Sequence, residues 1–215
     1  MNTSTKMSND GYLKFNCERL DEDFDMPAKT FDKLTKWRQT MFESRLIGVY
    51  SSGIGYGNIS LRAADGGFYI SGTATGGLPE LGQKHYALVT SWSLRLNSLT
   101  CQGKINASAE SLSHAAIYEA LPDVGAVIHI HHKGMWEKYI NSLLTTSPGV
   151  MYGTPEMALE IQNIVLTLNK GQDAILVMGG HEDGIVAWGK TPGDAGTCIL
   201  KYYEYFNESL KSKKI

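Results

Sequence analysis

Two short segments separated by a tight turn constrain the fold of this chain more than any other sequence feature. In segment 59–62, Ile-Ser-Leu-Arg, apolar and polar residues alternate, as in a half-buried strand. Segment 64–67, Ala-Asp-Gly-Gly, has the composition of a hairpin turn, and segment 68–71 is predicted to be the returning strand. Parallel neighbours need a crossover of about a dozen residues, so these two strands are predicted to be antiparallel. This disfavours a doubly wound parallel sheet.

Helices and strands interleave along the rest of the chain. Leu34, Trp37 and Met41 are spaced as in an amphipathic helix, with charged residues such as Arg38 between them. This periodicity predicts an α/β layered domain with a mixed or largely antiparallel sheet. Helices are predicted from about 27–30 to about 48, and at 110–121, 135–144, 155–168 and 192–210. Thr154 is the predicted N-cap of the helix at 155–168, with Pro155 at its first position. Further strands are predicted at 86–90, 94–101, 125–130, 174–178 and 185–188.

Composition excludes several classes of protein. The 215 residues include 20 Lys+Arg and 22 Asp+Glu, for a formal net charge of -2. This length fits a flexible N-terminal tail at 1–10 and a single domain at 11–215. A chain without basic excess is not expected to bind nucleic acid, and no apolar run approaches the ~20 residues of a membrane-spanning helix. Cys17, Cys101 and Cys198 form no CxxC pair and no signal-peptide core is visible, so a cytoplasmic protein is expected.

Two histidines at the end of an apolar strand indicate a metal site. His129 and His131 follow the apolar residues 126–128, and side chains two positions apart on a strand point to the same face. Both imidazoles can therefore bind one ion, and zinc takes three or four such ligands. His181, just after another apolar strand, is the candidate third ligand. His132 points to the opposite face and is interpreted as structural or as a support for the ligands.

Two further features have a structural and a functional interpretation, and the residues alone leave both open. Glu110, where a loop turns into a helix, is either a carboxylate favoured by the helix dipole or a general base near the metal. A glycine-rich turn with an amide side chain is either ordinary turn chemistry or an anion cradle built from N–H groups. The residues of the second feature are Gly57, Asn58, Thr73, Thr75, Gly76 and Ser108. His85 and His114 are interpreted as structural.

Taken together, these segments resemble the class II aldolase/adducin family, in particular its small sugar-phosphate aldolases. They occur in the family's order and cover the chain from about residue 34 to about residue 200. The matching segments are 57–62 (Gly-Asn-Ile-Ser-Leu-Arg), 108–110 (Ser-Ala-Glu), 114–118, 122–131, 152–156 and 184–191.

The resemblance implies a fold and a site. The fold is α/β, with three layers, α/β/α, around a central mixed, largely antiparallel sheet, and the assembly is usually a homotetramer. A divalent metal, normally Zn²⁺, is implied on His129, His131 and His181, with Glu110 as the acid/base carboxylate. A phosphate cradle is implied at Gly57, Asn58, Thr75, Gly76 and Ser108.

The implied activity is that of a metal-dependent aldolase-type lyase acting on a small sugar or sugar phosphate. Such a lyase cleaves or forms a C–C bond beside a carbonyl, and a metal stabilises the resulting enediolate as a Lewis acid. A dehydratase or an epimerase would use the same site. The alternative to an enzyme is a non-catalytic, adducin-like interaction module.

The sequence departs from the family pattern at three places. The family usually has an Asn-His-Gly step, whereas Glu182 and Asp183 separate His181 from Gly184 here, so Asp183 is an alternative or additional ligand. The family tends to have paired serines before the carboxylate, and here the second is replaced by Ala109. The Thr-Gly loop is longer, so Thr73 or Ser71 are alternatives to Thr75.

Overall fold

The hairpin predicted from residues 59–71 lies in the middle of a large sheet. The computed structural model describes residues 15–168 and 173–212. Strand β4 (Asn58–Arg62) pairs antiparallel with β5 (Phe68–Ser71), with Leu61 opposite Tyr69. The connecting turn closes with a 2.8 Å hydrogen bond from the Ala63 N–H to the Gly67 carbonyl. The prediction of two antiparallel strands is confirmed.

Within the described ranges, nine strands form the main sheet. Its order is β1-β7-β6-β5-β4-β8-β11-β10-β9, and only the outermost pairs, β1 with β7 and β10 with β9, are parallel. A two-stranded ribbon, β2 with β3, lies outside it. The remaining strands are β1 (Asn16–Leu20), β2 (Gly48–Val49), β3 (Gly55–Tyr56), β6 (Tyr86–Ser93), β7 (Ser98–Gln102), β8 (Ala126–His131), β9 (Leu144–Thr145), β10 (Ile175–Val177) and β11 (Gly184–Gly189).

Helices cover both faces of the sheet, which gives the expected three layers. One apolar core packs α2 (Ser111–Ala120) and α4 (Pro155–Leu166) against one face. A second core packs α1 (Ala28–Glu43), α3 (Lys133–Tyr139) and α5 (Pro192–Ser212) against the other. The α/β class with a mixed, largely antiparallel sheet is therefore confirmed. None of the described helices is long and apolar enough to span a bilayer.

Local signals account for where several helices begin. Thr154 caps α4 as predicted, because its hydroxyl accepts a hydrogen bond from the Met157 N–H at 3.3 Å and Pro155 follows at the first helical position. His132 caps α3 in the same way, with its Nδ1 accepting from the Met135 N–H at 3.1 Å. His132 is thus a structural residue, one of the two roles that the sequence left open.

Some element predictions were wrong in extent. The helix predicted at 135–144 ends at Tyr139, and Leu144 belongs to β9. The strand predicted at 94–101 begins at Ser98, because residues 94–97 form a turn in which Asn97 has a φ of 49°. The helix predicted to end near residue 48 ends at Glu43, and strands β1, β2, β3 and β9 were not predicted. The predicted tail at 1–10 lies outside the described residues, and the boundaries of the domain at 11–215 remain a prediction.

Candidate metal centre and anion pocket

All nine residues that the sequence singles out for the site line one pocket. Five segments of the chain carry these residues to the pocket: the turn before β4, the 72–76 loop, the start of α2, the end of β8 and the β10–β11 connection. The nine residues are Gly57, Asn58, Thr75, Gly76, Ser108, Glu110, His129, His131 and His181.

The two histidines of β8 are held at the centre of the sheet. β8 lies between β4 and β11, with His129 opposite Asn58 on one side and opposite Val186 on the other. Both imidazoles are buried, and their Nε2 atoms are 2.9 Å apart. Gly184, opposite His131, leaves room for the rings, since a Cβ there would be 3.2 Å from Cε1 of His129.

The hydrogen bonds of these two rings leave their Nε2 atoms available to an ion. Nδ1 of His129 is 3.1 Å from the Ile185 carbonyl, so it carries the proton and donates it there. Nδ1 of His131 is 2.6 Å from the hydroxyl of Tyr50. When both Nδ1 atoms are protonated, two lone pairs face each other across the short Nε2–Nε2 gap, and this repulsion is relieved by a cation between them.

His181 completes a group of three nitrogen donors. The ligand atoms of His129, His131 and His181 all lie within 4.8 Å of one another, and all three residues are buried. The His181 ring stacks on Tyr152, with ring centroids 4.1 Å apart and an interplanar angle of 19°. Within the described residues, this group of candidate ligands does not include Asp183, which was an alternative ligand.

The chemistry of the donors fits a divalent cation. Burial, followed by repulsion from His181, holds the pKa of His129 and of His131 well below the usual 6.5. Both rings are therefore neutral at pH 7, as metal ligands must be. Three histidine nitrogens are a ligand set found in catalytic zinc sites, which keep a further position open to water or substrate.

Glu110 is buried beside the three histidines. It lies at the N-cap of α2, and its Oε1 is 3.8 Å from Nδ1 of His181. Its other oxygen, Oε2, accepts a hydrogen bond of 2.7 Å from the Ser113 hydroxyl. No side-chain capping bond is made by Glu110 to α2. Glu110 therefore lies at the helix start, where the dipole favours a carboxylate, and also beside the histidines, where a general base would be needed.

The candidate anion cradle is formed by tightly packed backbone. Gly57 has a φ of +75°, and a Cβ there would approach Ile47 to 2.7 Å. A Cβ on Gly76 would lie 2.4 Å from the Gly48 carbonyl oxygen, so only glycine fits. The Oδ1 of Asn58 is buried and has no hydrogen-bond partner within the described part of the chain. Because the amide can rotate by 180°, it can offer a donor to an anion in the pocket.

Of the two alternatives to Thr75 as a pocket residue, the structure places one in the pocket and the other outside it. Ser71 is not in the lining, and its Oγ accepts a 3.2 Å hydrogen bond from the Ile59 N–H across the sheet. Thr73 and Thr75 both line the pocket, and the hydroxyl of Thr75 donates to the Gly72 carbonyl at 2.8 Å. Thr75 thus shapes the loop through its side chain.

The histidines interpreted as structural lie outside the group of three. Nδ1 of His114 is 2.7 Å from the Ser60 hydroxyl, and burial lowers the pKa of His114 to about 3. Nδ1 of His85 accepts a hydrogen bond of 2.9 Å from the Gly82 N–H.

Tyrosines around the histidines were not singled out as site residues in the sequence. Tyr50 contacts His131, Tyr56 lies 5.5 Å from the same ring, and Tyr152 stacks on His181. Tyr152 lies in one of the segments that carry the family resemblance, which is a signal that could have identified it. Tyr50 and Tyr56 flank a turn-rich stretch without periodicity, so only the folded chain reveals their positions.

Comparisons with known proteins agree with this geometry. A family model described as Class II Aldolase and Adducin N-terminal domain matches residues 50–206. The chain therefore belongs to the class II aldolase/adducin family, whose enzymes are generally aldolases that depend on a divalent metal. No curated protein matches the chain.

Solved structures show the same fold at low sequence identity. L-fuculose-1-phosphate aldolase from Thermus thermophilus has a TM-score of 0.64 at 17% identity, over 87% of this chain and 95% of that one. YgbL from Klebsiella pneumoniae, provisionally described as an aldolase/epimerase/decarboxylase, also has a TM-score of 0.64 at 17% identity, over 87% of this chain and 91% of that one. A sugar-phosphate aldolase from Thermotoga maritima has a TM-score of 0.59 at 15% identity, over 85% of this chain and 95% of that one.

Replacing Tyr50 with Phe is expected to weaken metal binding by about 10–100-fold, the usual effect of losing a hydrogen-bond partner of a metal-binding histidine. The substitution removes the hydroxyl 2.6 Å from Nδ1 of His131 and keeps the ring. Competition with a chromophoric chelator measures the affinity for Zn²⁺. Tyr56→Phe is the matched control, because the Tyr56 hydroxyl donates to the Arg45 carbonyl instead. Equal affinities of all three proteins would contradict the prediction.

Proposed function

We propose that this protein is a metal-dependent aldolase-type lyase that cleaves or forms a C–C bond of a small sugar phosphate. The observation that carries the proposal is the buried group of three histidines with the Glu110 carboxylate beside it. Membership of the family supports it, as do the described activities of the L-fuculose-1-phosphate and sugar-phosphate aldolases of the same fold.

His129, His131 and His181 would hold the divalent cation, most simply Zn²⁺ given a set of imidazole ligands. When bound, the cation would supply Lewis-acid stabilisation for negative charge on the carbonyl end of the substrate. The pocket residues would bind the rest of the substrate: Asn58 and the backbone of Gly57 and Gly76 would orient its anionic group.

Glu110 would move the proton at the reacting carbon. In cleavage of a ketose 1-phosphate, the C3–C4 bond would break, the ionised Glu110 carboxylate would take the proton of the C4 hydroxyl as that carbon becomes an aldehyde, and the electron pair would stay on C3. The Glu110 carboxylic acid then donates a proton to C3, giving dihydroxyacetone phosphate. In the synthetic direction the ionised carboxylate removes that proton. The hydrogen bond from Ser113 holds Oε2 of Glu110, and Oε1 lies on the side of His181.

Proton exchange on the three-carbon product tests the proposal without knowledge of the full substrate. The Zn²⁺-loaded protein is incubated with dihydroxyacetone phosphate in D₂O, and proton NMR follows loss of the C3 signal. We expect stereospecific exchange of one C3 proton by the loaded protein, and none after chelation. Absence of exchange by protein with stoichiometric metal would contradict an enediolate mechanism.

The products separate the lyase from related activities. Addition of short aldehydes to the same mixture yields new C–C-bonded sugar phosphates if the protein is an aldolase. An epimerase would instead interconvert two diastereomers, and a dehydratase would release water. A protein that binds no stoichiometric divalent metal would favour the adducin-like module. The homotetramer and the cytoplasmic location stay predictions.

A further inference from the structure

Arg38 is a charged residue buried in a helix face that otherwise packs into the core. The buried residues of α1 are Leu34, Arg38 and Met41, spaced by four and three positions. Only 2% of Arg38 is exposed. The sequence pattern placed Arg38 between the apolar positions of the helix, so its burial is a correction to that prediction. Burying a guanidinium costs free energy unless its N–H groups are hydrogen-bonded.

The guanidinium of Arg38 binds three carbonyl groups of the loop that lines the anion cradle. Nη2 donates to the Gly76 carbonyl at 2.9 Å and to the Thr75 carbonyl at 3.1 Å, and Nη1 donates to the Pro79 carbonyl at 3.2 Å. The guanidinium carbon lies 4.5 Å from the centre of the Phe42 ring. Among the described residues, no carboxylate forms an ion pair with Arg38, so its positive charge is not neutralised by an acidic side chain.

These bonds fix which way the backbone N–H groups of the loop point. In a trans peptide the C=O and the following N–H point in opposite directions. Because the carbonyls of Thr75 and Gly76 point toward Arg38, the N–H groups of Gly76 and Gly77 point away from it. Within the described chain, the Gly76 N–H donates to no acceptor, and Gly76 lines the pocket with Asn58. The N–H end of each of these peptide groups, which is the positive end of its dipole, therefore points away from the buried Arg38 guanidinium.

We propose that Arg38 is a positioning residue for the anion subsite of the proposed function, and that its hydrogen bonds to the Thr75 and Gly76 carbonyls set the affinity of that subsite for a phosphate monoester. Arg38 does not touch the substrate. It holds the loop carbonyls so that the N–H of Gly76, which lines the pocket, points away from the guanidinium, and its charge raises the potential felt by a phosphate monoester there. This inference rests on the proposed function for the phosphorylated substrate and its subsite, and it adds the residue that orients the subsite.

Binding of a simple phosphate monoester tests the subsite. Glycerol 3-phosphate is titrated into the Zn²⁺-loaded full chain by isothermal calorimetry, with glycerol as the neutral probe. We expect saturable binding of glycerol 3-phosphate and none of glycerol. Arg38→Met, which keeps the length of the stem and removes the charge and the donors, is expected to weaken binding by about tenfold or more. Arg38→Lys, which keeps the charge and loses the fork, is expected to be intermediate.

Arg62 offers a matched control. Its guanidinium also donates to three carbonyls, those of Tyr118, Leu121 and Val124, and also lies over an aromatic ring, 4.6 Å from the centre of Tyr118. It is not in the lining of the pocket. Arg62→Met therefore loses an equivalent set of bonds elsewhere, and its affinity for glycerol 3-phosphate is expected to equal that of the wild type. Loss of binding in both variants would assign the effect to general destabilisation and overturn the role of Arg38.

The outcomes separate this inference from the proposed activity. A folded Arg38→Met protein with wild-type affinity overturns the positioning role, and if that variant does not fold, Arg38→Lys decides in the same way. Failure of the wild type to distinguish glycerol 3-phosphate from glycerol would show that there is no phosphate subsite for Arg38 to position, and would overturn the inference. Proton exchange on unphosphorylated dihydroxyacetone would then still support the lyase chemistry. Binding of glycerol 3-phosphate without proton exchange on dihydroxyacetone phosphate would instead support the anion subsite and contradict the proposed lyase activity.

Discussion

Replacing His129 with Ala is expected to remove stoichiometric Zn²⁺ and with it all proton exchange on dihydroxyacetone phosphate. One of three nitrogen donors is lost, so the affinity should fall by far more than the ~10–100-fold caused by losing a hydrogen-bond partner of a ligand. His131→Ala is expected to behave in the same way, since the two Nε2 atoms are 2.9 Å apart and face one ion. Metal content after gel filtration and chelator competition measure the effect.

His132→Asn is the matched control for these variants. His132 is adjacent to His131 in the chain, but it caps α3 and its ring lies 5.0 Å from that of Phe206, on the other side of the sheet from His129. Asn is a good N-cap residue, so the helix start is kept. The variant is expected to hold metal at the wild-type ratio. Retention of stoichiometric metal by folded His129→Ala would show that these histidines are not the ligands.

Replacing Glu110 with Gln is expected to leave metal content unchanged and to slow proton exchange by about 10²–10⁴-fold, the usual contribution of a general acid or base. The amide has the shape of the carboxylate and can still accept the hydrogen bond from Ser113, but it cannot take up a proton from carbon. Exchange is measured by proton NMR in D₂O on Zn²⁺-loaded protein.

Glu119→Gln controls for the loss of a negative charge on the same helix. Glu119 is also on α2, but its Oε2 accepts a hydrogen bond from the Trp92 indole at 3.2 Å, outside the pocket. Its exchange rate should equal that of the wild type. An undiminished rate in Glu110→Gln would remove Glu110 from the mechanism and direct the search for the base to the other groups lining the pocket.

The features that could be predicted from sequence are those set by neighbouring residues. Alternation around a Gly-Gly turn predicted the β4–β5 hairpin, and the two-residue period of a strand predicted that His129 and His131 share a face. Thr154 followed by Pro155 predicted the start of α4. Each of these depends on local backbone geometry, which a short window of sequence contains.

The features that could not be predicted depend on partners far apart in the chain. The pairing of β1 with β7 places residues 16–20 beside residues 98–102, and no local pattern specifies a parallel partner at that separation. Arg38 looked like a solvent-exposed residue of an amphipathic helix, because its acceptors are carbonyls about 40 positions away. Tyr50 is similar: it meets His131 only after the sheet has formed.

The position of β8 in the sheet has a consequence for how the cation would bind. β8 is hydrogen-bonded along both edges, to β4 and to β11, and all six of its residues are buried. The two imidazoles on it are therefore ordered by the fold itself, and ion binding has little chain entropy left to remove. A preorganised centre of this kind is the reverse of a zinc finger, in which the ion folds the chain. Stripping the ion should leave the backbone amides of β8 among the slowest of the protein to exchange with solvent.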